Sequence, residues 1–138
     1  MSVLVVDASV VVGWFVPEVH SDAARRWLDG GHDFVAPDLL FPETANAIWK
    51  RVRRGELSRA QGRRLVTDIS RIPVETVAMR PLMVESHTMA VEADISVYDA
   101  TYLLLAVRLN TQLITGDERL ARSLSRHAAL SAHVRPLA

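Results

Sequence analysis

The sequence predicts an α/β fold of one domain, with a parallel sheet enclosed by helices. Short apolar runs rich in β-branched residues alternate with helical patterns, which is the order a parallel sheet needs. The first run, Val3 to Val6, is uninterrupted, as befits a strand buried on both faces. The 138 residues are 49% hydrophobic and 23% charged, enough to fill one core. No internal repeat, low-complexity stretch or long linker divides them, so residues 1–138 are read as a single unit.

After Val3 to Val6, strands are expected at Asp33 to Ala36, Val74 to Val77, Gln112 to Thr115 and, more weakly, Ala132 to Val134. Helical patterns lie between them. Ser21 to Leu28 is short. Pro42 to Arg54 is longer, with Pro42 suited to a first helical position and Gly55 to a stop. Ser58-Arg59-Ala60-Gln61 has the form of a capping box that opens the next helix. Pro81 to Ala93 follows. Asp99 to Leu109 is apolar almost all round and is expected to be buried. Asp117 to His127 closes the series.

The absence of cysteine excludes disulfides and thiolate metal sites. The start, Met-Ser-Val-Leu-Val-Val-Asp, lacks a basic region and meets an acid early, unlike a signal peptide. No apolar run approaches the roughly 20 residues that cross a bilayer. A soluble cytoplasmic protein is expected. The formal net charge is zero, but its distribution is uneven. Lys50, Arg51, Arg53, Arg54, Arg59, Arg63, Arg64 and Arg71 share one stretch with only Glu56 and Asp68 as acids. An acidic excess lies later, in Glu75, Glu85, Glu92, Asp94, Asp99, Asp117 and Glu118. Such separation suits attraction of a polyanion at one place and of cations at another. The basic stretch is expected on two helices joined at Gly55, as an RNA-steering surface, a solvated face or a surface for an acidic partner segment.

Ligands of open parallel sheets bind beyond the carboxyl ends of the strands. Asp7 directly follows the first strand, and Asp117 follows the Gln112 to Thr115 strand after one glycine. Asp99 opens the buried helix, and Glu43 sits in the first turn after Pro42. Singly, each acid is explained as a helix cap or as a charge favoured by the helix dipole. Together, four acids aimed at one edge repel one another unless a cation joins them. An all-oxygen cluster suits Mg²⁺ or Mn²⁺. No histidine pair has zinc-ligand spacing. Metal held in this way activates water and stabilises charge on a phosphodiester, so no side-chain nucleophile is needed. Ser9 lacks both a nucleophile-elbow setting and an obvious histidine partner. Phosphate-binding glycine loops are missing too.

Four segments carry a resemblance. Val5-Val6-Asp7-Ala8-Ser9, Pro42-Glu43-Thr44-Ala45-Asn46, Ser96-Val97-Tyr98-Asp99-Ala100-Thr101-Tyr102 and Thr115-Gly116-Asp117-Glu118-Arg119-Leu120 resemble the successive motifs of PIN-domain ribonucleases. They are most similar to the VapC-type toxins of toxin–antitoxin pairs. Any one motif is weak; four in order, spanning essentially the whole chain, are specific. The resemblance implies a five-stranded parallel sheet between helices and an acidic metal-binding quartet of Asp7, Glu43, Asp99 and Asp117. It implies supporting roles for Ser9, Asn46 and Thr115. It also implies Mg²⁺- or Mn²⁺-dependent hydrolysis of RNA, a small VapB-type antitoxin as partner, and a homodimer.

The residues speak against two rival classes, a different phosphate enzyme of either of two kinds and a non-catalytic binding module. Haloacid-dehalogenase phosphatases need a second aspartate two residues after the first, where this chain has Ser9. Phospho-receiver domains need a lysine late in the sheet, and the only lysine is Lys50, in a helical pattern. A non-catalytic scaffold of the same fold has no reason to keep four mutually repelling carboxylates. The aromatic residues Trp14, Phe15, Trp27, Phe41 and Trp49 are expected in core or interface rather than as base-stacking platforms. Met79, Met83 and Met89 are expected as core filler.

Overall fold

The computed structural model describes residues 2–137. Among them the chain alternates as expected. β1 (Val3–Val6) leads into α1 (Ala8–Phe15) and α2 (Ser21–Leu28), then β2 (Asp33–Pro37), α3 (Leu40–Arg53) and α4 (Arg59–Ile69). β3 (Val74–Val77) is followed by a 3-10 turn, Arg80–Leu82, and by α5 (Met83–Ala93) and α6 (Val97–Arg108). β4 (Leu113–Thr115), α7 (Glu118–Ser123), α8 (Ala128–Ser131) and β5 (Val134–Pro136) complete it.

The five strands form one sheet in the order β3-β2-β1-β4-β5, and every pairing is parallel. β1 is the centre: Val5 faces Val35 of β2 and Leu113 of β4. The chain winds one way from β1 to β3 and the other way from β4 to β5. The order therefore reverses between β1 and β4, the place where doubly wound sheets open a crevice at their carboxyl ends. Val5 and Val6 are consecutive and fully buried, so both faces of the sheet are covered. α6 packs on β1, β2 and β4, with α5 beyond it, and its stretch Ala100–Ala106 is buried throughout.

Several boundaries differ from expectation. The sequence reading has no helix at Ala8–Phe15, although the structure forms one there. The segment Ala-Ser-Val-Val-Val-Gly-Trp-Phe has no polar face, because Val10 through Trp14 are all buried. Without an apolar stripe, helical periodicity is invisible. α3 starts at Leu40, not Pro42; Pro42 still falls in the first turn, where its missing N–H costs no internal bond. α6 starts at Val97, so Asp99 is its third residue and not its first. The expected Asp117 to His127 helix is two pieces, α7 and α8, and the last strand lies at Val134–Pro136, later than Ala132 to Val134.

Candidate active site

Asp7 and Asp117 leave the ends of the adjacent strands β1 and β4 and cap the helices that follow. The Asp7 Oδ1 accepts the Val10 N–H at 3.3 Å, starting α1. The Asp117 Oδ1 accepts the N–H groups of Arg119 and Leu120 at 3.0 and 3.2 Å, starting α7. Glu43 and Asp99 arrive on the first turns of α3 and α6. At α6 the capping is done by another residue. The Ser96 hydroxyl accepts the Asp99 N–H at 3.0 Å, and the Asp99 carboxylate is left out of the cap. Capping thus explains where Asp7 and Asp117 sit, but not why Glu43 and Asp99 are acids.

Asp7 is the most heavily supported of the four. Ser9 Oγ donates to its Oδ1 at 2.5 Å, and Thr115 Oγ1 donates to its Oδ2. These donors are themselves held in place. Gly116 N–H donates to Ser9 Oγ at 2.9 Å, and Asp117 N–H donates to Thr115 Oγ1 at 3.0 Å. One continuous network therefore fixes the ends of β1 and β4 to each other. Glu43 Oε1 accepts the hydroxyl of Tyr102 at 2.7 Å, from one turn along α6 beyond Asp99. Tyr102 is buried.

Charge links the four acids into a row. Burial raises the Asp7 carboxyl from 3.8 to about 6, against the hydrogen bonds from Ser9, Thr115 and Val10, and the Glu43 charge adds to the rise. Burial also raises Glu43; the Tyr102 hydroxyl opposes this and the Asp99 charge reinforces it. Asp99 is raised by burial and by Asp117, with Ser96 and Arg119 easing it. Burial, with the neighbouring Glu43, Asp7 and Asp99, pushes the Tyr102 phenol far above its ordinary range, so it is a donor at any working pH. Each acid from Asp7 to Asp117 thus feels the next.

Among the described residues, no three acidic or histidine groups stand in closed coordination geometry. The carboxylates form an open row, and their donor chemistry suits a hard divalent cation. Asp99 and Asp117 share a hollow with Arg119. Glu43 and Ser9 border a second, with Asn46 and Lys50. Among the described residues, no hydrogen bond joins the exposed Asn46 side chain to any acid, unlike Ser9 and Thr115. The sequence reading missed Tyr102 as a partner of Glu43. Its spacing of three from Asp99, on one helical face, was the available signal.

Other expectations meet mixed outcomes. Trp14 is core, its indole N–H bound to the Ala24 carbonyl at 2.9 Å, but Trp49 is 52% exposed. Met89 packs against the core, whereas Met83 is exposed because α5 turns that side outward. The basic stretch is not one surface. Lys50, Arg51 and Arg54 border the hollow beside Glu43, while Arg59 and Arg63 border a separate apolar groove between α3 and α4. Arg53 stacks over Trp49 at 5.4 Å.

A five-stranded parallel sheet with acids at its topological switch point defines a class, and comparison with known proteins agrees with it. The PIN domain family model matches residues 4–123. The chain is 30% identical over 120 residues to Ribonuclease VapC3 of Pyrobaculum aerophilum, covering 86% of this chain and 92% of that protein. It is 31% identical over 121 residues to Ribonuclease VapC1 of Mycobacterium tuberculosis, covering 88% and 90%. A crystal structure of PAE2754 from Pyrobaculum aerophilum superposes with a TM-score of 0.69 at 23% identity, covering 99% of this chain and 90% of that one. That likeness speaks for the fold. The chain belongs to the PIN-domain family, and within it to the VapC relatives.

Proposed function

We propose that this protein is a Mg²⁺- or Mn²⁺-dependent endoribonuclease, the toxin of a toxin–antitoxin pair, with Asp7, Glu43, Asp99 and Asp117 as its catalytic, metal-holding acids. The observation that carries the reading is the row of coupled carboxylates, three of them raised by burial, that runs from Asp7 at the end of β1 through Glu43 and Asp99 to Asp117 after β4. Acids perturbed by burial and by one another are what a working site needs, and that supports the reading. The relatives named ribonuclease support the substrate class.

In this reading Asp7 is the anchor, since its position is fixed from three sides by Ser9, Thr115 and the α1 backbone. Tyr102 takes one oxygen of Glu43, Oε1, and leaves Oε2 to a cation. The Asp117 Oδ1 is committed to the α7 backbone, which leaves its Oδ2. Bound divalent cation would supply the positive charge that joins these oxygens, activates water and offsets charge building on the phosphodiester. The proposal extends to a small VapB-type antitoxin as regulatory partner, a homodimer, a single functional unit over residues 1–138, and action in the cytoplasm. Among the described residues no helix is long and apolar enough to cross a membrane.

The test is cleavage of total cellular RNA by purified protein freed of any antitoxin. Mn²⁺, Mg²⁺ and EDTA would be compared, with Asp7→Asn alongside. Discrete fragments are expected only with metal and intact Asp7, and their ends would name the target sequence. Wild-type cutting by Asp7→Asn, or cutting in EDTA, would overturn the assignment.

A further inference from the structure

The hollow beside Glu43 has a volume of about 470 Å³. Its floor is one face of α3: Glu43, Ala47, Lys50 and Arg54 follow at steps of four, three and four. This is the repeat that aligns side chains along a helix. The face therefore passes from an acid at the crevice to cations at the helix end. A third cation, Arg51, is already spent. Its guanidinium pairs with Glu18 at 2.6 Å and, more loosely, with Glu56 at 3.5 Å. Glu18 is held there from the α1–α2 connection, where its N–H is bound by Ser21 Oγ at 2.8 Å. Lys50 and Arg54 are exposed and, among the described residues, have no acidic partner. Two unneutralised cations thus border the same hollow as one of the four acids.

We propose that Lys50 and Arg54 form a phosphate track for a single RNA strand that leaves the acid row along α3. The proposal rests on the ribonuclease reading and gives it a strand path. At about 1.5 Å of rise per residue, Lys50 stands about 10 Å and Arg54 about 16 Å beyond Glu43 along the axis. A stacked strand advances about 3.4 Å per nucleotide. The two cations therefore meet phosphates about three and five nucleotides from the one at the acids, on one side of it only. Arg53, Arg59, Arg63, Arg64 and Arg71 are outside the track; none of them borders this hollow. Glu18 sets the track's charge by holding Arg51 out of it.

The test is binding of a fluorescein-labelled twelve-residue oligouridylate to the full-length protein in EDTA, read by anisotropy across a series of NaCl concentrations. Each phosphate contact on a single strand adds about 0.7 to the slope of log affinity against log salt. The Lys50→Gln/Arg54→Gln double variant is expected to bind more weakly and to lose about 1.4 from that slope. An Arg64→Gln/Arg71→Gln protein, with the same change in net charge on exposed positions of the α4 side, is expected to keep the wild-type slope. The Glu18→Gln/Glu56→Gln double variant releases Arg51 from both partners and is expected to add about 0.7. Equal losses in both double variants, or no loss at Lys50 and Arg54, would overturn the track. So would a hexaglutamate peptide binding through Lys50 and Arg54 while oligouridylate binding is unchanged in their variant, which would assign the cations to an acidic protein partner. Because metal and cutting are absent from this measurement, it separates the two readings. Metal-dependent cleavage with an unchanged slope leaves the nuclease and removes the track. A reduced slope without any cleavage leaves the track and removes the nuclease.

Discussion

Glu43 has one oxygen committed to Tyr102, and this shapes what the acid can do. A buried carboxylate with a free rotor can turn either oxygen, or both, toward a cation. Here the buried phenol holds one oxygen back. Groups that orient a metal ligand in this way are worth about 10–100-fold in metal affinity. Tyr102→Phe keeps the ring and its packing but removes the donor, so Glu43, already raised by burial, rises further. The expected outcome is at least a roughly tenfold weaker Mn²⁺ requirement constant for RNA cleavage, with most of the rate restored at high Mn²⁺. A Mn²⁺ titration of cleavage checks it. An unchanged metal dependence would reduce Tyr102 to a packing residue. Ser9 and Thr115 act on Asp7 in the same manner, and both stand in the segments that carry the family resemblance. Tyr102 stands there too, three residues after Asp99, but the sequence alone does not say which acid it serves. Its partner lies 59 positions away, and only the packing of α6 against the sheet brings them together.

At the scale of elements, α6 separates the work of capping from that of the site. Ser96 closes the helix start, so its loss has a structural cost of the usual N-cap size. Ser96→Ala is expected to lower unfolding stability by about 1 kcal/mol in urea titration. Asp99→Asn is expected to lose activity with a smaller stability change, because it removes a carboxylate already raised by burial and by Asp117. If Asp99→Asn destabilised as much as Ser96→Ala, the acid would be a structural residue. The elements also show where a sequence reading stops. Strands β1 and β3 were legible to the residue: β1 is an unbroken apolar run ended by Asp7, and β3 is a short segment rich in β-branched residues that begins after Pro73. The capping box at Ser58 was legible because it is local chemistry, and both of its hydrogen bonds form. α1 was not legible. It is helical because Asp7 caps it and its neighbours bury every side, which is information held outside the segment. Gly13 shows the same limit: a Cβ there would lie 3.0 Å from that of Ala24, so the glycine allows α1 and α2 to approach closely. α3 was misjudged at its start because a proline favoured at the first position is tolerated anywhere in the first turn.

Over the whole molecule the same carboxylates that make the site should make the protein's stability depend on pH and on metal together. Asp7 titrates at about 6 in the fold and at an ordinary 3.8 when unfolded. Between those values the native state still holds a proton that the unfolded chain has released. Without metal, stability therefore falls as pH rises through this window, by as much as about 3 kcal/mol from Asp7 alone. Glu43 and Asp99 are raised too and act in the same direction. Below about pH 4 both states of Asp7 are protonated, and no further effect of this group remains. On the proposed function a divalent cation would oppose the loss, because it would bind the ionised folded row and find no such site in the unfolded chain. At a hundred times its dissociation constant it adds about 2.7 kcal/mol. Mn²⁺ should therefore raise the melting temperature clearly at pH 7.5 and less at pH 4.5, where the folded Asp7 carboxyl holds a proton. Thermal unfolding in EDTA and in Mn²⁺ at the two pH values measures this directly. A Mn²⁺ shift of equal size at both would place the ion elsewhere on the surface. No shift at pH 7.5 would mean that the four acids do not act as one site.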